Sequence, residues 1–131
     1  MSSLRLLPLV VAAAAVPPVY PPRTLILFVA SWCAPCRGEL ARLDAIAAAA
    51  APVEVRVAPV DRGNATAAML RGVAGARIWR SARAVEALSR TAGSLPFSVM
   101  TDGGGRPCAT HDRALDAAAV LAMRRRCADA S

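Results

Sequence analysis

The chain has 131 residues and a mass of 13.5 kDa, one domain's worth of polypeptide. Hydrophobic residues make up 56% and charged residues 19%, at a mean hydropathy of +0.41. That excludes a disordered chain, and no apolar run reaches the roughly 18–20 residues of a spanning helix, which excludes a polytopic membrane protein. The 16 basic residues are all arginine and give a net charge of +7, but only Arg124, Arg125 and Arg126 form a run. That run falls late in a predicted helix, where it complements the helix dipole, so the charge is read as a solvated basic surface and no nucleic-acid partner is expected.

Residues 1–15 place Arg5 ahead of an apolar stretch that ends in small side chains, the layout of a secretory signal peptide, with Ala13 and Ala15 suited to cleavage before Val16. An uncleaved membrane anchor and a buried N-terminal strand are the alternatives. Residues 16–22, with Pro17, Pro18, Pro21 and Pro22, read as a proline-rich linker, and residues 23–131 as the folded domain. Export places the protein in the periplasm, an oxidising compartment where four cysteines can form disulfides.

Residues 24–30 are a continuous apolar run with β-branched and aromatic members, as expected of a central strand covered on both faces. Cys33-Ala34-Pro35-Cys36 follows, and Leu40, Leu43, Ala47 and Ala50 then recur at helical spacing over residues 37–51, with Pro52 marking the end. Residues 53–60 alternate as a second strand. Asn64 is expected to cap a helix over 65–73, and 81–92 forms a further helix with Val85 and Leu88 facing inward. A third strand over 95–100 is joined to a brief fourth over 107–110 by a glycine-rich turn. A closing helix over 112–126 carries Leu115, Ala118, Ala119 and Ala122 on one face. The order implies an α/β domain, a mixed sheet of about four strands with helices on both faces.

The Cys33–Cys36 pair sits where a strand gives way to a helix. Cys33 there meets unpaired backbone N–H groups and the positive end of the dipole, both of which favour a thiolate. Two intervening residues let the sulfurs meet across the first helical turn, and Pro35 stiffens it without wasting a donor. The implied chemistry is thiol–disulfide exchange, with Cys33 attacking and Cys36 resolving.

The segment Trp32-Cys33-Ala34-Pro35-Cys36-Arg37-Gly38-Glu39-Leu40 resembles the W-C-x-P-C-R-x-E signature of thioredoxin-like proteins of the TlpA/ResA kind, exported bacterial thiol–disulfide oxidoreductases. The strand before it, Leu95-Pro96 ahead of the third strand, and Val99-Met100-Thr101-Asp102-Gly103-Gly104-Gly105-Arg106 extend the resemblance over about residues 23–126. It implies a thioredoxin fold with Pro96 as the cis-proline facing the cysteines, a substrate groove of Trp32, Pro35, Leu95 and Pro96, and no cofactor beyond the redox-active disulfide. Trp32 would cover the site as an apolar lid. It also implies protein disulfides as substrates and a membrane thiol reductant as electron donor. The sequence departs from the family in two ways. Leu27 stands where thioredoxins bury an acid, which leaves Glu39 or solvent to take the Cys36 proton. The segment ahead of the first strand is also short, which could leave a sheet edge for a partner to cover.

Cys108 and Cys127 fall near the fourth strand and the end of the last helix. A helix returning over the sheet could join them in a structural disulfide, closing a loop of about 20 residues worth roughly 3 kcal/mol; free thiols or a second redox pair remain open. Cys33, Cys36, Cys108 and His111 have zinc-ligand chemistry, but the first pair opens a helix and lies far from the second in sequence, so no metal site is expected. Haem attachment is excluded because Arg37, not histidine, follows Cys36. The reading of a different class is a binding module whose Cys33–Cys36 bond is static.

Overall fold

The structure, a computed structural model, describes residues 5–12 and 16–130. Part of the expected signal peptide, residues 1–4 and the cleavage-site alanines Ala13 and Ala15, lies outside the described residues.

Strand β1 (Thr24–Val29) is buried along its whole length. It runs parallel to β2 (Glu54–Pro59) on one side and antiparallel to β3 (Phe97–Thr101) on the other. β4 (Pro107–His111) pairs antiparallel with β3, so the order is β2-β1-β3-β4. The mixed four-stranded sheet is the one expected. Among the described residues five α-helices accompany it: α1 (Ala34–Ala41), α2 (Leu43–Ala50), α3 (Asn64–Met69), α4 (Ala82–Thr91) and α5 (Ala117–Asp129).

The period of two along each strand separates two cores. Leu25, Leu27, Val29, Val55, Val57 and Met100 face Leu43 and Ile46 of α2 and Val120 and Met123 of α5. Ile26, Phe28, Ala58, Phe97 and Val99 face Ala84 and Leu88 of α4. Helices therefore cover both faces, which explains why β1 is apolar without alternation.

Several boundaries differ from the sequence expectations. The helix expected over residues 37–51 is two helices meeting at Arg42, whose backbone leaves helical geometry at φ −103° and ψ 13°. The Arg42 guanidinium reaches across to the Leu115 carbonyl, with Nε at 3.3 Å and Nη2 at 3.0 Å, a tertiary contact that periodicity cannot reveal. α1 starts earlier than expected, because Pro35 is tolerated in a first turn. Asn64 is the first residue of α3 and not its cap; Gly63, at φ +122°, holds that position. On α4 the buried residues are Ala84 and Leu88, while Val85 is only half-buried. The closing helix starts at Ala117, capped by the Asp116 carboxylate, which accepts from the Ala119 N–H at 2.8 Å. Its buried face is Val120 and Met123, with Cys127 packed alongside; Ala118 is exposed, and Leu115 packs from the loop before the helix.

The proline-rich residues before β1 lie on the domain. The Thr101 hydroxyl donates to the Pro21 carbonyl at 2.7 Å and accepts from the Thr24 N–H at 3.0 Å. The Tyr20 ring meets Phe28 edge-on at a centroid distance of 6.5 Å and Trp79 at 6.4 Å. On the outer edge of β2, the Trp79 N–H donates to the Val57 carbonyl at 2.9 Å, so residues 78–79 partly cover that edge.

Candidate active site

β1 ends against Ala30, and the chain turns through Ser31 and Trp32 into α1. Cys33 is the N-cap of α1 and Pro35 lies in its first turn. Cys33 and Cys36 are joined in a disulfide with 5.3 Å between their Cα atoms, and the Cys33 sulfur accepts from the Cys36 N–H at 3.2 Å. One of the orphan donors of the helix start is thus spent on sulfur. Cys33 keeps 4% of its surface exposed and Cys36 none, so Cys33 is the member of the pair nearer solvent.

The turn that carries the pair is held by a contact with a loop residue that no motif singles out. The Asp61 carboxylate accepts from the Ser31 N–H, at 3.1 and 3.2 Å, and from the Ser31 hydroxyl. Burial works to raise the Asp61 pKa, but hydrogen bonds, those from Ser31 foremost, together outweigh it and hold the carboxyl below its ordinary range. Arg37 closes the turn from above, its Nη2 donating to the Ser31 carbonyl at 2.6 Å. The available signal was positional: Asp61 follows the end of a strand parallel to β1, and loops at the carboxyl ends of parallel strands converge.

Glu39, in the second half of α1, is fully buried although its side chain is a carboxyl. Its Oε2 accepts from the Leu115 N–H at 2.7 Å, while Oε1 has no partner. Leu115 is held at both polar atoms, its N–H by Glu39 and its carbonyl by Arg42. Desolvation raises the Glu39 pKa to about 7, against the lowering effects of the Leu115 N–H and the Arg42 charge. Glu39 lies one helical turn beyond Cys36 on α1.

The Leu95–Pro96 peptide bond is cis, and Pro96 is buried just ahead of β3. Leu95 and the 71%-exposed Trp32 line one surface groove with Leu88 of α4. Trp32 therefore lies open beside the pair.

No family model matches the chain, and no curated protein matches it in sequence. Solved structures do match. A thioredoxin-related protein from Neisseria meningitidis serogroup B superposes with a TM-score of 0.58 at 20% identity, over 79% of this chain and 83% of that one. A DsbF homologue from Corynebacterium diphtheriae gives 0.58 at 18% identity, over 79% and 72%. A secreted Mycobacterium tuberculosis disulfide oxidoreductase homologous to E. coli DsbE gives 0.56 at 17% identity, over 76% and 78%. The chain has a thioredoxin fold.

In that thioredoxin fold the expected site residues gather at one end of the sheet. Cys33 and Cys36 follow β1, Pro96 precedes β3, and β1 and β3 are neighbours, Phe28 pairing with Phe97. Leu27, at the position where thioredoxins bury an acid, lies in the same buried cluster as both cysteines. The buried acid of this thioredoxin fold comes instead from α1, as Glu39. Cys108 of β4 and Cys127 of α5 form a second disulfide, 4.9 Å between Cα atoms. The four cysteines are thus paired as 33–36 and 108–127, which engages three of the four ligands of the zinc set considered above.

Proposed function

We propose that this protein is a thiol–disulfide oxidoreductase that reduces protein disulfides outside the cytoplasm. The observation that carries the reading is the Cys33–Cys36 disulfide at the start of α1, with a backbone N–H on the Cys33 sulfur and, of the two cysteines, only Cys33 keeping a sliver of surface at 4%. In the reduced protein the same N–H and the helix end favour the Cys33 thiolate. The thiolate attacks one sulfur of a substrate disulfide; a Cys33–substrate S–S bond forms, and the substrate's other sulfur leaves as thiolate and takes up a proton. Cys36 then loses its proton and attacks Cys33. The Cys33–Cys36 bond forms and the second substrate thiol is released, so two electrons have passed to the substrate.

Glu39 is assigned the Cys36 proton. A carboxyl with a pKa of about 7, one turn away on the same helix, changes charge at the pH where the thiol must do so. Trp32, Pro35, Leu95 and Pro96 form the substrate groove, and Cys108–Cys127 is a structural tie. A membrane thiol reductant restores the dithiol after each cycle. Export is supported by the N-terminal apolar stretch, whose Leu6, Leu7, Leu9, Val10 and Val11 are all exposed and add nothing to the core, as suits a segment read as an address. Among the described residues no helix is long and apolar enough to cross a membrane.

The test is trapping. Reduced Cys36→Ser protein mixed with a disulfide-bonded model protein is expected to accumulate a thiol-sensitive covalent adduct through Cys33. Cys33→Ser protein gives none. Absence of an adduct with Cys36→Ser makes the Cys33–Cys36 bond static and the domain a binding module.

A further inference from the structure

The groove beside the cysteine pair does not end at the apolar patch. The patch, of about 320 Å³, is lined by Trp32 and Leu95 at the cysteine end and by Val85 and Leu88 along α4. A second hollow of about 420 Å³ shares Val60, Val85 and Ser89 with it and continues to Arg62 and Arg80. The two make one surface channel, which begins at the exposed Trp32 and runs past the carboxyl ends of β1 and β2, where Val60 is tied to β1 through the Val29 carbonyl at 2.9 Å.

Charge changes along the channel. The cysteine end is apolar. The far end carries the exposed guanidinium groups of Arg62 and Arg80, neither in an ion pair among the described residues. The one carboxylate lining it, Glu86, is already paired with Arg90 at 3.6 Å. Solvated arginines scattered over a basic surface are unremarkable, but two at the end of a channel that opens at Trp32, next in the chain to the nucleophile, are placed to read the chain flanking a bound cysteine. Guanidinium groups recognise carboxylates by paired hydrogen bonds as well as by charge.

Resting on the oxidoreductase reading above, we propose that this channel selects substrate proteins whose disulfide is flanked by an apolar residue followed by acidic residues. The apolar side chain seats against Trp32, Val85, Leu88 and Leu95, and the carboxylates meet Arg62 and Arg80. These two arginines are specificity residues; the bond-making chemistry remains with Cys33 and Cys36.

The experiment follows oxidation of the fully reduced protein by three probes: hydroxyethyl disulfide, and two peptide disulfides identical except that Leu is followed by Glu-Glu in one and by Lys-Lys in the other. The acidic peptide is expected to react about tenfold faster than the basic one in dilute buffer, within the range of electrostatic steering. The ratio should collapse near 1 M salt, where the screening length falls to about 3 Å. In the Arg62→Glu/Arg80→Glu protein the preference should invert. Equal rates for the two peptides, or a preference unchanged by the double substitution, overturn the proposal while reaction with hydroxyethyl disulfide leaves the oxidoreductase reading standing. If the reduced wild-type protein does not react even with hydroxyethyl disulfide, the oxidoreductase reading fails and the proposal falls with it.

Discussion

Glu39 couples the cysteine helix to the loop before α5 through a carboxyl that water does not reach. Its neutral form suits the site better than its charged form, because burial removes the solvation of the carboxylate and one oxygen has no partner. The sign of the linkage follows. With a folded pKa of about 7 against an ordinary 4.5, the native state holds a proton that the unfolded state has released, so stability falls as pH rises between those values and is level above. The displacement corresponds to a loss on the order of 3 kcal/mol. Urea midpoints of the oxidised protein taken from pH 4.5 to 8 should show this decline, and Glu39→Gln should remove it. The amide places a buried donor where Oε1 has no partner, so the variant is expected to be less stable at low pH; the slope is the diagnostic. In the reduced protein, the rate of release from the mixed disulfide should inflect near pH 7 for wild type and lose that inflection in Glu39→Gln.

Two connections between elements carry separate predictions. The Cys108–Cys127 disulfide joins β4 to α5 across a separation of 19 residues. Replacing both by serine removes a constraint worth roughly 3 kcal/mol in the chain-entropy model, read as a lower urea midpoint. Cys33–Cys36 exchange in that variant should continue at the wild-type rate. The β3–β4 turn carries Gly105 at φ +76°, where an added Cβ would lie 2.5 Å from the Tyr20 carbonyl oxygen and 3.1 Å from Pro18. Gly105→Ala is therefore expected to cost about 1–3 kcal/mol and to loosen residues 18–20, seen as faster amide exchange there. The turn itself was legible, since Asp102 and the glycines announce it, and the Asp102 carboxylate accepts from the Gly104 and Arg106 N–H groups as such a turn requires. The reason Gly105 must be glycine was not legible, because the obstruction belongs to a segment far away in sequence. The same holds at Arg42, where helical spacing continues through the break and the guanidinium meets the carbonyl of Leu115, far away in sequence.

At the scale of the molecule, the alternation and apolar runs of the strands carried the topology, because each strand's pattern reflects how many of its faces a helix covers. The cysteine pair was legible for a like reason: its spacing and its place after an apolar strand are local facts. Asp61, Arg62 and Arg80 reach the site end through the convergence of strand ends, and nothing in their immediate neighbours distinguishes them from other loop residues. The proposed activity requires the Cys33–Cys36 bond to be a working couple, and equilibrium in defined thiol–disulfide buffers, with Cys108 and Cys127 replaced by serine, tests that most directly. A reductant should equilibrate reversibly at a potential of about −220 mV or lower, the range of thioredoxins and glutaredoxins. A value near about −120 mV would make the protein an oxidant. A pair that stays closed in every buffer would contradict the account at its centre.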